Sequence, residues 1–194
     1  HGLSLFIVNT GKAHADLSED YSSVPVEMKQ VAQVFGKEVC ADITEEQVID
    51  NLAKVREFAG DRSVLRALHF FEENKRVDEE VAALKEDRFE DFLAQVTASG
   101  NSSWKWLQNC FTNHDYQEQG ITVALALTEL FLARKKAGAC RVHGGGFAGV
   151  IMAFLPNDMV DEYIAYIDKA LGEGSAYPMS IRPYGAVCVN HIMD

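Results

Sequence analysis

The chain has 194 residues and a mass of 21.5 kDa, enough for one domain that buries about two-thirds of the surface of its unfolded form. Its 47% hydrophobic content and its 11 Phe, 6 Tyr and 2 Trp exclude a mainly disordered chain. The net charge of −11 argues against nucleic acid or an anionic membrane as a partner, because phosphate groups would be repelled. No apolar run approaches the ~18 residues that a membrane span needs.

The four cysteines, Cys40, Cys110, Cys140 and Cys188, lie far apart along the chain. None belongs to a CxxC pair or has a histidine at ligand spacing, so we predict no metal site. Cys140 and Cys188 lie inside apolar stretches, which is typical of buried thiols. This cysteine usage favours a reducing compartment, and we predict a cytoplasmic location.

A strand and then five helices are predicted for the first two-thirds of the chain. Residues 5–8 form a short apolar run before a turn at Asn9-Thr10-Gly11, which predicts the strand. Apolar residues at three- and four-residue steps predict the helices, the second of which starts at a capping box of Thr44 and Gln47 and ends at Gly60. The other four are predicted at 22–35, 61–84, 88–98 and 117–136, with a turn at 99–103 and with Val123, Leu127, Leu130 and Phe131 facing a core.

The pattern changes after the last of these helices. Strands are predicted at 139–142, 150–155, 179–184 and 186–189, and a helix is predicted at 158–171. A glycine cluster separates the first two of these strands. The order of the elements predicts a single α+β domain over residues 1–194, with a mostly antiparallel sheet and helices packed on one side.

The glycine cluster, Gly144 to Gly149, formally matches the G-x-G-x-x-G pattern of dinucleotide-binding loops. That pattern ends a strand and opens a helix, whereas both flanks here are strand-like, and no Lys-Ser/Thr pair follows as a Walker loop requires. A glycine-rich hairpin turn is the structural alternative. We favour a functional loop, because three consecutive glycines exceed the needs of a turn and let backbone N–H groups approach an anion.

Residues 139–156, ACRVHGGGFAGVIMAFLP, resemble the third motif of the superfamily of galactokinase, homoserine kinase, mevalonate kinase and phosphomevalonate kinase, and the galactokinase branch in particular. Other stretches match in the right order over nearly the whole chain. They are His14 to Leu17 with Tyr21 and Glu27-Met28, Arg66 to His69 with Glu72 to Asn74, Ser99-Gly100 with Ser102-Ser103, Leu107 to Asn109, and Ser180 to Pro183. Three departures indicate a divergent branch: His143 for a common Thr, Ala148 for Gly and Val150 for Cys.

The resemblance implies ATP-dependent phosphorylation of galactose at its anomeric hydroxyl, with Mg²⁺, and a ferredoxin-like type of sheet. Tyr21 is expected to contact the sugar, by a hydroxyl hydrogen bond or by stacking. His143 precedes the glycine motif and either holds the turn, which we favour, or donates to a phosphate. The motif expected to line the cleft consists of Gly144, Gly145, Gly146, Phe147, Ala148 and Gly149.

The family keeps its sugar signature, its main phosphate-binding loop and its catalytic Asp and Arg in the N-terminal half, and nothing in this chain matches them. We therefore expect the C-terminal half only, with no catalytic residue of its own and with ATP and Mg²⁺ bound mainly by an N-terminal kinase domain. A cut through a larger protein would explain the strand that begins right after His1-Gly2. A tag remnant on a whole protein is the alternative.

Two other functions remain open: a non-catalytic relative that senses a sugar, and a kinase for another small metabolite. If half of a two-domain kinase is missing, an apolar patch is expected beside the glycine loop and Tyr21, with residues 3–8 in it or at an adjacent edge. Such a patch predicts that the chain self-associates or binds the N-terminal kinase domain. The chain alone is expected to have no kinase activity.

Three polar features have weaker functional signals. His14 and Asp16 are a candidate base and orienter, although no nucleophile is evident nearby. His69 follows Leu68 on a helix, which favours a packed histidine between helices. The run 72–76 is expected to be a solvated helix face.

Overall fold

The computed structural model describes residues 2–11 and 17–185. Within these residues four strands form one sheet in the order β2-β3-β1-β4, and every neighbouring pair is antiparallel. The strands are β1 (Leu3–Asn9), β2 (Ala139–His143), β3 (Val150–Pro156) and β4 (Ala176–Met179). This order is that of a ferredoxin-like sheet, so the predicted α+β class is confirmed.

In the described part of the chain, six α-helices lie between β1 and β2, and a seventh lies between β3 and β4. They are α1 (Ser18–Gln33), α2 (Glu45–Asp50), α3 (Leu52–Ala59), α4 (Asp61–Lys85), α5 (Phe89–Ser102), α6 (Gly120–Lys135) and α7 (Val160–Leu171). The predicted capping box begins α2, because the Thr44 hydroxyl accepts from the Gln47 amide and the Gln47 side chain accepts from the Thr44 amide. No described helix is long and apolar enough to cross a membrane.

The main core lies between one face of the sheet and helices α6 and α7. Phe6 of β1 is fully buried there and packs edge-on against Tyr163 of α7 at 5.5 Å between ring centroids. Each large apolar side chain buried in this way contributes about 2 kcal/mol. The buried hydroxyls of Tyr163 and Thr128 lie 2.8 Å apart, so they satisfy each other and join the two helices.

The second face of the sheet is also covered in part, which corrects the prediction of helices on one side only. Helix α5 packs there, with Phe92 edge-on to Phe154 at 5.4 Å and with Leu93 and Val96 against Ala139. All the residues of β3 are apolar, and successive side chains point to opposite faces of the sheet. Both faces are therefore apolar and must be covered. A further core joins α1 to α3 and α4, away from the sheet, through residues that include Val31, Val55 and Ala67.

Strand β1 lies inside the sheet rather than at an edge. It pairs with β3 on one side and with β4 on the other, and Phe6, Ile7 and Val8 are buried. The expectation that residues 3–8 join an exposed patch or an edge is therefore wrong. An apolar, β-branched strand of this kind is stabilised by neighbours on both sides.

Several predicted boundaries differ from the structure. The helix predicted from Thr44 to Gly60 is interrupted at Asn51, and the predicted turn at 99–103 is instead the end of α5 and a π-helical turn, Ser103–Leu107. The strand predicted at 179–184 lies earlier, as β4, and residues 186–189 lie outside the described residues. Val123 and Leu130 of α6 are exposed, whereas the sequence predicted that they face the core. Apolar residues surround most of this helix, so their pattern does not identify the buried face.

Candidate functional site

The glycine loop, residues 144–149, is a hairpin connection between two adjacent antiparallel strands. His143 at the end of β2 pairs with Val150 at the start of β3. No helix begins at the loop, which excludes the dinucleotide-binding interpretation. Gly144 and Gly145 are exposed, whereas Gly146 and Phe147 are buried, so the loop turns back onto the protein. His143 is exposed on β2, next to the loop.

Tyr21, near the start of α1, lies against this loop. Its hydroxyl donates to the Gly146 carbonyl at 3.3 Å, and its ring meets the Phe147 ring edge-on at 5.6 Å. A Cβ on Gly145 would lie 2.5 Å from a ring carbon of Tyr21, so the ring occupies the space that a side chain would need. Tyr21 is nevertheless 46% exposed. The structure thus brings the predicted sugar contact and the predicted loop together.

Asn109 holds the other side of the loop, a role that no local sequence pattern indicates. Its side-chain Nδ2 donates to the Gly145 carbonyl at 3.1 Å, and its backbone carbonyl accepts from the Phe147 amide at 2.5 Å. A Cβ on Gly146 would lie 2.1 Å from that carbonyl oxygen. The only signal was the Leu107 to Asn109 stretch of the family resemblance, which does not indicate a contact 36 positions further along the chain.

The loop backbone is fixed mainly by internal hydrogen bonds. The Ala148 amide donates to the Gly146 carbonyl at 2.7 Å, and the Thr10 amide and hydroxyl both donate to the Gly149 carbonyl, at 3.0 and 2.8 Å. Phe147 has a φ of 60°, which a non-glycine residue adopts only when its surroundings hold it. Because the Phe147 and Ala148 amides already have protein acceptors, these two do not converge on an anion as the sequence suggested.

Arg66 of α4 ties the Tyr21 helix to the Asn109 segment. Its guanidinium is 1% exposed, donates to the Leu107 carbonyl at 3.0 Å and to the Ser23 hydroxyl at 2.8 Å, and pairs with Glu27 at 3.0 Å. Burial lowers the pKa of Arg66, and the Glu27 charge opposes that shift. Ser23 and Leu107 are each two residues from a residue that holds the loop, so one buried cation connects both sides of the site.

A second polar cluster shows that the run 72–76 is not a uniformly solvated face. Glu73 accepts hydrogen bonds from Ser99 and from Arg141 of β2 and pairs with Arg76 of its own helix. Burial acts to raise the pKa of the Glu73 carboxyl, but the Ser99 hydrogen bond and the nearby Arg141 charge lower it overall. Arg141 thereby fastens β2, the strand that leads into the glycine loop, to α4 and α5.

His69 lies between helices, as the sequence predicted. It is 7% exposed, and its Nδ1 is 2.8 Å from the Ser102 hydroxyl of α5. Burial lowers the pKa of His69 to about 4, so the imidazole is neutral. A neutral, buried histidine with a helix partner is a packing element.

The remaining candidates form no site in the described part of the chain. No three His, Cys, Asp or Glu residues there are grouped as a metal ion would require. Cys40, Cys110 and Cys140 are buried, free thiols, and burial raises their pKa values to about 11, 12 and 12. His14, Asp16 and Cys188 lie outside the described residues.

Comparisons with known proteins point to one family. No family model matches the chain. The galactokinase of Actinobacillus pleuropneumoniae serotype 5b (strain L20) is 32% identical over 162 residues, which are 83% of this chain and 39% of that protein. The galactokinase of Glaesserella parasuis serovar 5 (strain SH0165) is 29% identical over 160 residues, 82% of this chain and 39% of that protein.

The solved structure of Lactococcus lactis galactokinase complexed with galactose has the same fold, with a TM-score of 0.70 at 21% identity over 92% of this chain and 45% of that chain. This chain therefore spans about two-fifths of the length of the curated relatives that it matches, and the matched region is their C-terminal part. In sequence and in fold, the chain is a galactokinase-like C-terminal domain.

Proposed function

We propose that this chain is the C-terminal domain of a kinase that transfers the γ-phosphate of ATP to the anomeric hydroxyl of galactose. Its contribution is a sugar-binding surface made by Tyr21 and the glycine loop, residues 144–149. The observation that carries the proposal is the contact between Tyr21 and this loop, in a chain whose relatives are galactokinases.

The chemistry of Tyr21 suits a sugar hydroxyl. A phenol is both a donor and an acceptor, and the Tyr21 proton is directed at the Gly146 carbonyl. The phenolic oxygen can then accept from a hydroxyl of the sugar, while the half-exposed ring offers an apolar surface to the sugar carbons. Tyr21 and the loop hold and orient the sugar and supply no acid, base or nucleophile.

ATP and Mg²⁺ fit the described residues poorly. The Phe147 and Ala148 amides of the loop are already bonded within the protein, and no carboxylate cluster of metal-binding size is found among residues 2–11 and 17–185. We therefore assign the nucleotide and the metal to an N-terminal kinase domain. The buried free thiols of Cys40, Cys110 and Cys140 support a cytoplasmic location for the protein.

The test is to express the full open reading frame that encodes this chain and to measure ADP release with ATP, Mg²⁺ and galactose. We expect turnover with galactose, and background only from the present chain alone. Tyr21→Ala should raise the KM for galactose by about tenfold, the equivalent of one hydrogen bond, whereas Tyr116→Ala at an exposed position should not.

Two outcomes would overturn the proposal of a galactose kinase. Saturable galactose binding by the full protein without ADP release would favour the sugar-sensing alternative. Turnover with another small alcohol but not with galactose would favour a kinase for a different metabolite.

A further inference from the structure

Asn109 is a buried amide that contacts the glycine loop of the proposed sugar site on the side away from Tyr21. It is 4% exposed and follows Gln108, whose left-handed backbone (φ 57°) ends the π-helical turn Ser103–Leu107. Buried amides are costly unless they are hydrogen-bonded. The Nδ2 of Asn109 is bonded to the Gly145 carbonyl, while its Oδ1 has no hydrogen-bond partner. The donor bond to the loop is thus the hydrogen bond that the structure gives this side chain.

Asn109 is hydrogen-bonded to the two residues that flank Gly146 in the loop, Gly145 and Phe147. The Phe147 amide donates a hydrogen bond to the Asn109 carbonyl. That carbonyl also occupies the place where a Cβ on Gly146 would lie. The carbonyl of the same Gly146 accepts from the Tyr21 hydroxyl. A shift of Asn109 would therefore move the group to which Tyr21 is bonded.

The position of Asn109 is itself set from inside the protein. The Leu107 carbonyl accepts from the fully buried Arg66, which also binds Ser23 on the Tyr21 helix. Tyr21 and Asn109 therefore lie on segments that are bonded to the same buried guanidinium, and both side chains contact the loop.

We propose that Asn109 is the positioning residue of the Tyr21 site. By holding Gly145 and Phe147 it sets the distance between the loop and Tyr21, and thereby the affinity for a sugar. The affinity part of this inference rests on the proposed function, whereas the positioning part does not.

The test compares Asn109→Ala and the nearly isosteric Asn109→Asp, which lacks the amide donor, with Asn101→Ala at an exposed site on α5. Hydrogen exchange of the Phe147 amide reports the position of the loop, because that amide is bonded to the Asn109 backbone and not to the substituted side chain. We expect both Asn109 variants to speed this exchange by about tenfold while amides in α6 stay protected, and to weaken the binding of D-galactose by a similar factor.

If Asn109→Ala does not fold, Gly146→Ala replaces it. Its control is Gly144→Ala, which has a similarly positive φ but nothing within 4 Å of its Cβ, so backbone strain is matched. Unchanged Phe147 exchange in every Asn109 and Gly146 variant would overturn the positioning role. Faster exchange with unchanged galactose affinity would overturn the link to the sugar. Absence of galactose binding by the unsubstituted full-length protein would refute the proposed function and leave the exchange result to decide the positioning role.

Discussion

At the scale of single residues, the glycines of the loop are required for different physical reasons. Gly146 has a φ of +82° and also touches Asn109, so both its backbone and its surroundings exclude a side chain. Gly145 has no positive φ, and only the Tyr21 ring excludes a side chain there. The motif predicted that these positions matter, but it did not reveal which neighbour imposes each requirement.

Gly145→Ala should therefore destabilise the protein through Tyr21 alone. We expect a loss of about 2 kcal/mol in the free energy of unfolding, because the added methyl group overlaps the ring. In a Tyr21→Ala background the same substitution should cost less than about 0.5 kcal/mol, since the overlapping ring is gone. Denaturant unfolding of the four proteins in this cycle measures the difference. Equal costs in both backgrounds would contradict the assigned contact.

At the scale of elements, the sequence predicted what depends on local pattern and missed what depends on distant contacts. The capping box fixed the start of α2, and apolar periodicity located α4 and α7 to within a few residues. The extension of α5 beyond residue 98 depends on tertiary contact, because Ser99 binds Glu73 and a Cβ on Gly100 would lie only 3.0 Å from the Cys140 carbonyl oxygen of β2. The Asn109 and Arg66 contacts join residues 36 to 43 positions apart, so no local pattern contains them.

The contact between α4 and α5 through His69 predicts a pH-dependent stability. The unfolded chain takes up a proton near the ordinary pKa of 6.5, whereas buried His69 stays neutral down to about 4. Proton uptake then favours the unfolded state, so the free energy of unfolding should fall by about 3 kcal/mol as the pH drops from 6.5 to 4. Urea unfolding at several pH values measures this slope.

His69→Asn should flatten that slope, because Asn keeps a group near the Ser102 hydroxyl but does not titrate. His114→Asn is the matched control, since the His114 side chain is 67% exposed. The slope should persist in the control. A slope that is the same in His69→Asn as in the unsubstituted chain would assign it to other groups, such as Glu73, whose lowered pKa acts in the same direction at lower pH.

At the scale of the whole molecule, the exposed apolar side chains are arranged differently from the sequence prediction. Helix α5 covers the β2 and β3 side of the second sheet face, and the β4 side carries Tyr177 and Met179, which are opposite Ile7 and Leu5 and are 40% and 45% exposed. Ile181 and Tyr184, after β4, are also exposed. One exposed apolar surface therefore lies at the β4 edge of the sheet, where neither α5 nor the glycine loop lies.

We expect the isolated chain to self-associate through this β4 surface. Exposed apolar side chains that lie together favour association, whereas Pro178 lacks an N–H group and disfavours the addition of another strand to β4. The association should therefore bury side chains rather than extend the sheet. Tyr177→Lys and Met179→Lys should abolish the rise in sedimentation coefficient with concentration, because each places a charge in the buried contact. Phe58→Lys, on α3 and 62% exposed, should leave it unchanged. A chain that sediments as a monomer at all concentrations, or association that both β4 variants retain, would contradict this assignment.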